Sequence, residues 1–197
     1  ADIALQRGEG AYLFDEEGRR YLDFASGIAV TVLGHSHPRL TAALHDAVDK
    51  VWHTSNLFRI PMQERLAKRL VNKSFAETVF FTNSGTEAIE CLVKVVRKYH
   101  NATGQSDRYR VITFEGAFHG RTLAALAAGG QSKHLAGFNP AVDGFDQVPF
   151  GDILAARAAI TKESAAFLVE PIQGEGGIRC APEGFLQGLK DLASSNG

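Results

Sequence analysis

At 197 residues the chain is long enough to bury a real core and has the length of one domain or slightly more. Apolar residues make up 45% and charged residues 22%, and a formal charge of -1 leaves no basic footprint for nucleic acid or an anionic membrane surface. Cys91 and Cys180 form no Cys-x-x-Cys pair, which argues against a disulfide scaffold or a cysteine metal site. No stretch approaches the ~18 consecutive apolar residues of a membrane span. With no charged head and apolar run at the front, the expectation is a cytoplasmic protein without a signal peptide.

Ala11 to Phe14 and Arg20 to Phe24 are short apolar-aromatic runs joined by Asp15-Glu16-Glu17-Gly18-Arg19, which predicts a β-hairpin with Gly18 at positive φ. Ser26 to Gly34 is apolar and punctuated by glycine, and is expected to be a buried loop. His35-Ser36-His37-Pro38 leads into a helix with Pro38 near its first position. Leu40, Ala43, Leu44, Ala47, Val48 and Val51 mark that helix's expected buried face. Two neighbouring histidines with no third ligand in view read as turn residues bonded to backbone rather than as a metal site. A loop to Ile60 precedes a second helix from Pro61, with Leu66 and Leu70 inward.

Val79-Phe80-Phe81 reads as a short strand running into a turn. An amphipathic helix then begins, with Ile89, Leu92, Val93 and Val96 at i, i+3, i+4 and i+7. Ser84 followed by Glu87 fits a capping box, so the first helical turn opens near Ser84. Free N–H groups, the positive end of the helix dipole and the absent Cβ of Gly85 suit a phosphate there, with hydroxyls from Ser84 and Thr86 beside it. Equally, the same residues describe the strand–turn–helix joint of any α/β domain.

Arg110 to Phe114 is the next strand and runs on to Phe118-His119-Gly120-Arg121. Thr122 to Ala128 is helical by composition, and Gly129 to Gly144 is long for an internal connection. Val148 to Phe150 is extended, Asp152 caps a helix through Ile160, and Ala165 to Val169 is a buried strand stopped by Glu170-Pro171. A last amphipathic helix runs from about Glu183 to Ser195. Strands alternating with helices predict a mostly parallel α/β sheet, with the front hairpin in a separate small layer.

In open α/β sheets, ligands sit beyond the carboxyl ends of the strands. Ser84-Gly85-Thr86, Phe118 with Arg121, and Glu170 with Glu175 all fall at that edge. A phosphate seat, a flat ring, a guanidinium and carboxylates together predict a phosphorylated aromatic cofactor with an anionic substrate nearby.

Four stretches resemble the class III aminotransferases, pyridoxal phosphate enzymes of fold type I, most nearly the branch acting on acetylornithine. They are Asp23 to Val30 with Leu33 to Pro38, Asn83 to Ala88, Phe118 to Arg121, and Val169 to Gly177. The resemblance covers essentially the whole chain. It implies that residues 1–60 are the hairpin and first helix of a small N-terminal segment, and that 61–197 open the cofactor-binding large domain.

The resemblance further implies that Gly85 and Thr86 hold the phosphate of pyridoxal 5'-phosphate, with Ser84 beside them, and that Phe118 stacks on its ring. Glu170 would lie near the ring's phenolic oxygen. Arg121 would clamp a substrate carboxylate, a task suited to a planar fork of donors, and Glu175 would pair with an arginine from later in the chain. Taken without the resemblance, Phe118 reads as a core side chain, Arg121 as a solvated helix-start residue, and the two glutamates as loop carboxylates. His119 reads as structural.

The family also needs a lysine to carry the cofactor and an aspartate at the ring nitrogen. None of the eight lysines has the expected strand-end setting. Lys133 lies in a polar loop without surroundings to lower its pKa. The catalytic lysine is therefore expected beyond Gly197, the chain is expected to be the N-terminal half of the enzyme, and 1–197 alone is expected not to transaminate. The implied substrates are N-acetylornithine and 2-oxoglutarate, the implied pathway is arginine biosynthesis, and the implied assembly is a homodimer with interface sites. Ornithine, succinylornithine or 4-aminobutyrate as donor, and a non-catalytic fragment that binds a phosphorylated ligand, stay open as alternatives.

Overall fold

The sequence LQRGE offers no alternation of apolar residues, yet it forms the outer strand of a small antiparallel sheet. In the computed structural model, which describes residues 2–197, β1 (Leu5–Glu9), β2 (Tyr12–Asp15) and β3 (Arg20–Leu22) pair in the order β1-β2-β3. The predicted hairpin is β2–β3, with Gly18 at φ 78° in its turn. The carboxylate of Asp15 organises this turn. It accepts from the Glu17 and Arg19 amides at 3.1 and 2.8 Å, from Arg19 Nε at 2.6 Å and from the Tyr21 hydroxyl at 2.7 Å. Burial pushes its pKa up, but the bonds from Arg19 and Tyr21 outweigh that and hold it at about 2.

Ser26 to Gly34 departs from the expected buried loop. Its one short turn, α1 (Ser26–Ala29), has Gly27 at φ 60°, Ile28 at 64° and Ala29 at 60°. Ile28, Val30 and Val32 are 90%, 72% and 83% exposed. Apolar content predicted burial, but three short strands supply no layer to cover it. The same correction applies to α2 (Pro38–Val48) and α3 (Pro61–Val71). Each begins with its proline as predicted, and neither contains a buried residue, Leu40, Leu44, Leu66 and Leu70 included. The chain divides into compact units Ala1–Val79 and Phe80–Gly197. The helix α3 lies within the first of these units.

The second unit begins without the strand expected at Val79–Phe81. That segment joins no ladder among the described residues, and Phe80 is exposed. β-propensity alone does not make a strand where no neighbour offers a ladder. Next comes α4 (Gly85–Ala102), then β4 (Arg110–Phe114), α5 (Leu123–Gly129), α6 (Ser132–Leu135) and β5 (Phe145–Val148). The chain continues through α7 (Ile153–Ala158), β6 (Ser164–Phe167), the pair β7 (Ile172–Gln173) and β8 (Arg179–Cys180), and α8 (Phe185–Asn196). Strand β5 lies three residues before the expected Val148–Phe150 stretch. Its polar Asp146 hid it, and that carboxylate takes Nη2 of Arg110 at 2.7 Å.

The sheet runs β5-β4-β6, all parallel, with Val111 opposite both Phe145 and Ala166. As the central strand, β4 is buried on both faces, which its continuous Val-Ile-Thr-Phe run required. On one face Ile112 and Phe114 pack with Val148, Ala156, Phe185, Leu189 and Leu192. The rings of Phe114, Phe150 and Phe185 meet edge to face at 5.4 to 6.3 Å. On the other face Val111 and Leu168 pack with Ala128, Ile89, Leu92 and Val96. Rich in alanine, α5 is buried from Ala125 to Gly129. The result is an α/β layer with a parallel sheet, as predicted.

Candidate active site

The loops after β4 and β6 meet the first turn of α4 at the carboxyl edge of the sheet. They enclose an open cleft of about 330 Å³, lined among others by Gly85, Thr86, Phe118, His119, Gly120 and Glu170. Four of the sequence-predicted site residues thus share one cavity, although the first of the three expected strands is absent.

The α4 terminus forms from its own sequence. Ser84, in extended backbone, accepts from the Glu87 amide at 3.3 Å. Glu87 reaches back to the Asn83 amide at 2.6 Å, one residue further out than the usual capping box. The amides of Gly85 and Thr86 take no acceptor among the described residues. Donor groups and helix dipole therefore converge on the cleft, the arrangement that favours an anion. Ser84 caps the helix and does not line the cavity.

Gly120 is at φ 128°, and a Cβ there would run into the Thr86 side chain and stand 3.0 Å from its Cα. Only glycine lets the two loops approach so closely. The Thr86 hydroxyl lies 3.2 Å from Oγ1 of Thr122, and the Thr122 hydroxyl donates to Glu90. The shared proton economy makes Thr86 the donor to Thr122, so the free donors of this corner are the two amides. Gly120 falls within the Phe118 to Arg121 stretch but has no role in the sequence reading, and nothing local in the sequence marks Thr122 or Glu90 as bonded to this corner.

Phe118 is 36% exposed, and its amide donates to Oε2 of Glu170 at 3.0 Å. Burial pushes the Glu170 carboxyl upward, and this bond opposes the shift only in part. His119 is 6% exposed, and burial alone lowers its pKa to about 4, so its ring is neutral. Its Nε2 has no partner among the described residues.

Arg121 and Glu175 lie outside the cavity lining. Cζ of Arg121 stands 5.6 Å from the Phe118 ring centroid, and its Nη2 is 3.4 Å from Nε2 of His134. Glu175 is 3.4 Å from Nζ of the exposed Lys133. In the first unit, His35 Nε2 lies 2.7 Å from Oδ2 of Asp23. His35 and His37 share no group of three potential metal ligands among the described residues.

The site thus sets two unpaired amides at a helix N-terminus beside a partly exposed aromatic ring, at the carboxyl edge of a parallel α/β sheet. Residues 1–197 match the family Aminotransferase class-III, and the chain belongs to it. It is 59% identical to the acetylornithine aminotransferase of Agrobacterium fabrum, covering 100% of this chain and 49% of that protein. Among solved structures it resembles the ornithine aminotransferase of Toxoplasma gondii, in which pyridoxal phosphate partly occupies the active site. The TM-score there is 0.91 at 30% identity, over 100% of this chain and 47% of that one. It also resembles the N-acetylornithine aminotransferase of Stenotrophomonas maltophilia, with TM-score 0.82 and 39% identity over 99% and 48% of the two chains. The chain spans about half the length of the curated relatives it matches.

Proposed function

We propose that these residues form the cofactor-binding half of a pyridoxal phosphate-dependent aminotransferase. In the intact protein it moves the terminal amine of acetylornithine to 2-oxoglutarate, leaving N-acetylglutamate semialdehyde and glutamate, a step of arginine biosynthesis. The observation that carries this reading is the single cleft holding the free Gly85 and Thr86 amides, the Phe118 ring and the Glu170 carboxyl. The identity to acetylornithine aminotransferases supports the choice of donor.

The residues present fit the cofactor. Two unsatisfied amides at a helix N-terminus suit its phosphate, and the close approach that Gly120 permits keeps that corner narrow. When bound, the cofactor supplies an electron sink for the carbon that loses a proton. Gly85 and Thr86 anchor the phosphate, and Phe118 offers a face to the ring. Glu170, tied to the Phe118 amide and with a raised pKa, would offer its carboxyl to a cofactor held in the same cleft. Arg121 receives a substrate carboxylate at the rim. Glu175, held here by Lys133, pairs in this reading with an arginine from later in the chain.

In the same reading the lysine that carries the cofactor lies beyond Gly197, and residues 61–197 open the large domain of the intact protein. The enzyme is a cytoplasmic homodimer with sites at the interface. No helix of the described residues is long and apolar enough to cross a membrane. Turnover of acetylornithine, ornithine, succinylornithine and 4-aminobutyrate by the full-length protein tests the proposal. Acetylornithine is expected to give the highest kcat/KM, and a clear preference for any of the other three overturns the assignment of donor.

A further inference from the structure

His134 has no place in the family-derived reading, yet it touches two of its residues. Besides the 3.4 Å approach of its Nε2 to Arg121 Nη2, its ring meets Phe118 edge-on, with centroids 6.0 Å apart at 83°. Arg121, Phe118 and His134 therefore close a triangle at the mouth of the cleft. The short helix α6 that carries His134 is fixed to that mouth. Gln131 Nε2 donates to the carbonyl of Ala117, the residue before Phe118, at 2.7 Å, and the His134 amide donates to the Gln131 carbonyl at 2.9 Å.

A guanidinium has donors only, so the bond requires His134 Nε2 to be an acceptor. The ring must then be neutral, with its proton on Nδ1. The charged groups facing the ring are Arg121, Lys133 and Glu175. Burial, Arg121 and Lys133 lower the His134 pKa below its ordinary 6.5, and Glu175 opposes them. The acceptor form thus persists through neutral pH and is lost only in acid.

We infer that His134 is a positioning residue: its neutral imidazole holds the Arg121 guanidinium beside the Phe118 ring, in place for a substrate carboxylate. This rests on Arg121 being the carboxylate clamp. An exposed arginine that is already ordered gives up less side-chain freedom when it binds. Protonating His134 turns the acceptor into a second donor and frees the arginine. The imidazolium offers the carboxylate no planar fork of paired donors, so its charge does not replace the guanidinium.

Two measurements on the full-length protein test this. The first is the NMR titration of the His134 ring in the native protein and in Arg121→Gln. Loss of the neighbouring cation is expected to raise its pKa, and an unchanged titration overturns the contact whether or not the enzyme transaminates. The second is steady-state kinetics with 2-oxoglutarate. His134→Ala is expected to raise KM about three- to tenfold with kcat within about twofold. His134→Gln, which keeps an acceptor oxygen, should recover most of the loss. Native KM should rise as pH falls below roughly 6.5, and the glutamine variant should flatten that rise. Equal losses in both variants, or a KM that ignores His134, overturn the inference. Failure to transaminate at all overturns the function proposed above, with the titration still deciding for or against His134.

Discussion

Phe118 shows how one residue type is used differently from its neighbours in the same sheet. Phe114, four residues earlier, is 1% exposed in the core, whereas Phe118 keeps a face open to the cleft while its amide ties down Glu170. If that face receives the cofactor ring, Phe118→Ala in the full-length protein should weaken pyridoxal phosphate binding about tenfold, since aromatic contacts exceed simple burial by 0.5–1.5 kcal/mol. Phe118→Tyr should remain close to native, and fluorescence titration of the apoenzyme would show both. His119 makes a separate prediction. Its folded pKa of about 4 lies below the ordinary 6.5, so unfolding takes up a proton anywhere between them. Its contribution to stability is complete above pH 6.5, declines as pH falls towards 4 and is then flat. Denaturation midpoints of the full-length protein across that range should carry this slope, and His119→Gln should flatten it.

At the scale of elements, helix starts were legible because their chemistry is local. Ser84, Asp152 and the two prolines at the first positions of α2 and α3 mark the boundaries found, and Asp152 accepts from the Leu154 and Ala155 amides at 3.0 and 2.9 Å. Ser84→Ala should cost about 1 kcal/mol at the first turn of α4. Faster amide exchange at Glu87, which loses its acceptor, is the direct readout. The strands were less legible. The Val-Ile-Thr-Phe run of β4 stood out because both its faces are buried, whereas β1 has Leu5 as its one large apolar residue and Val79–Phe81 has the composition of a strand without a ladder to join. The four residues that share the cleft are legible in the sequence, Gly85 and Thr86 from their motif at a helix start, Phe118 and Glu170 from their places after β4 and β6. His134 is not, because its link to Arg121 spans 13 positions across helix α5, and only packing brings the two side chains together.

Across the whole chain, apolar residues at helical spacing remain exposed in α2 and α3, and Phe24, Phe75 and Phe80 are 91%, 102% and 77% exposed. Patches of this kind mark surfaces that associate. In the full-length protein they are expected to be shielded from hydrogen exchange if it is the proposed dimer, and a protein that is monomeric by mass with these segments unprotected would count against it. Residues 1–197 alone, given pyridoxal phosphate and both substrates, are expected to yield no glutamate, and product formation would refute the placement of the essential lysine elsewhere. One property of α5 bears on how such an enzyme can change its substrate. Ala125 and Ala128 are 0% exposed, and the helix they belong to begins one residue after Arg121 and Thr122 are set. Any added methylene there must displace the helix, with strain of about 1–3 kcal/mol. If Arg121 is the carboxylate clamp proposed above, changes of donor preference are expected among exposed residues around the cleft, because the packed interior of α5 leaves no room for a larger side chain.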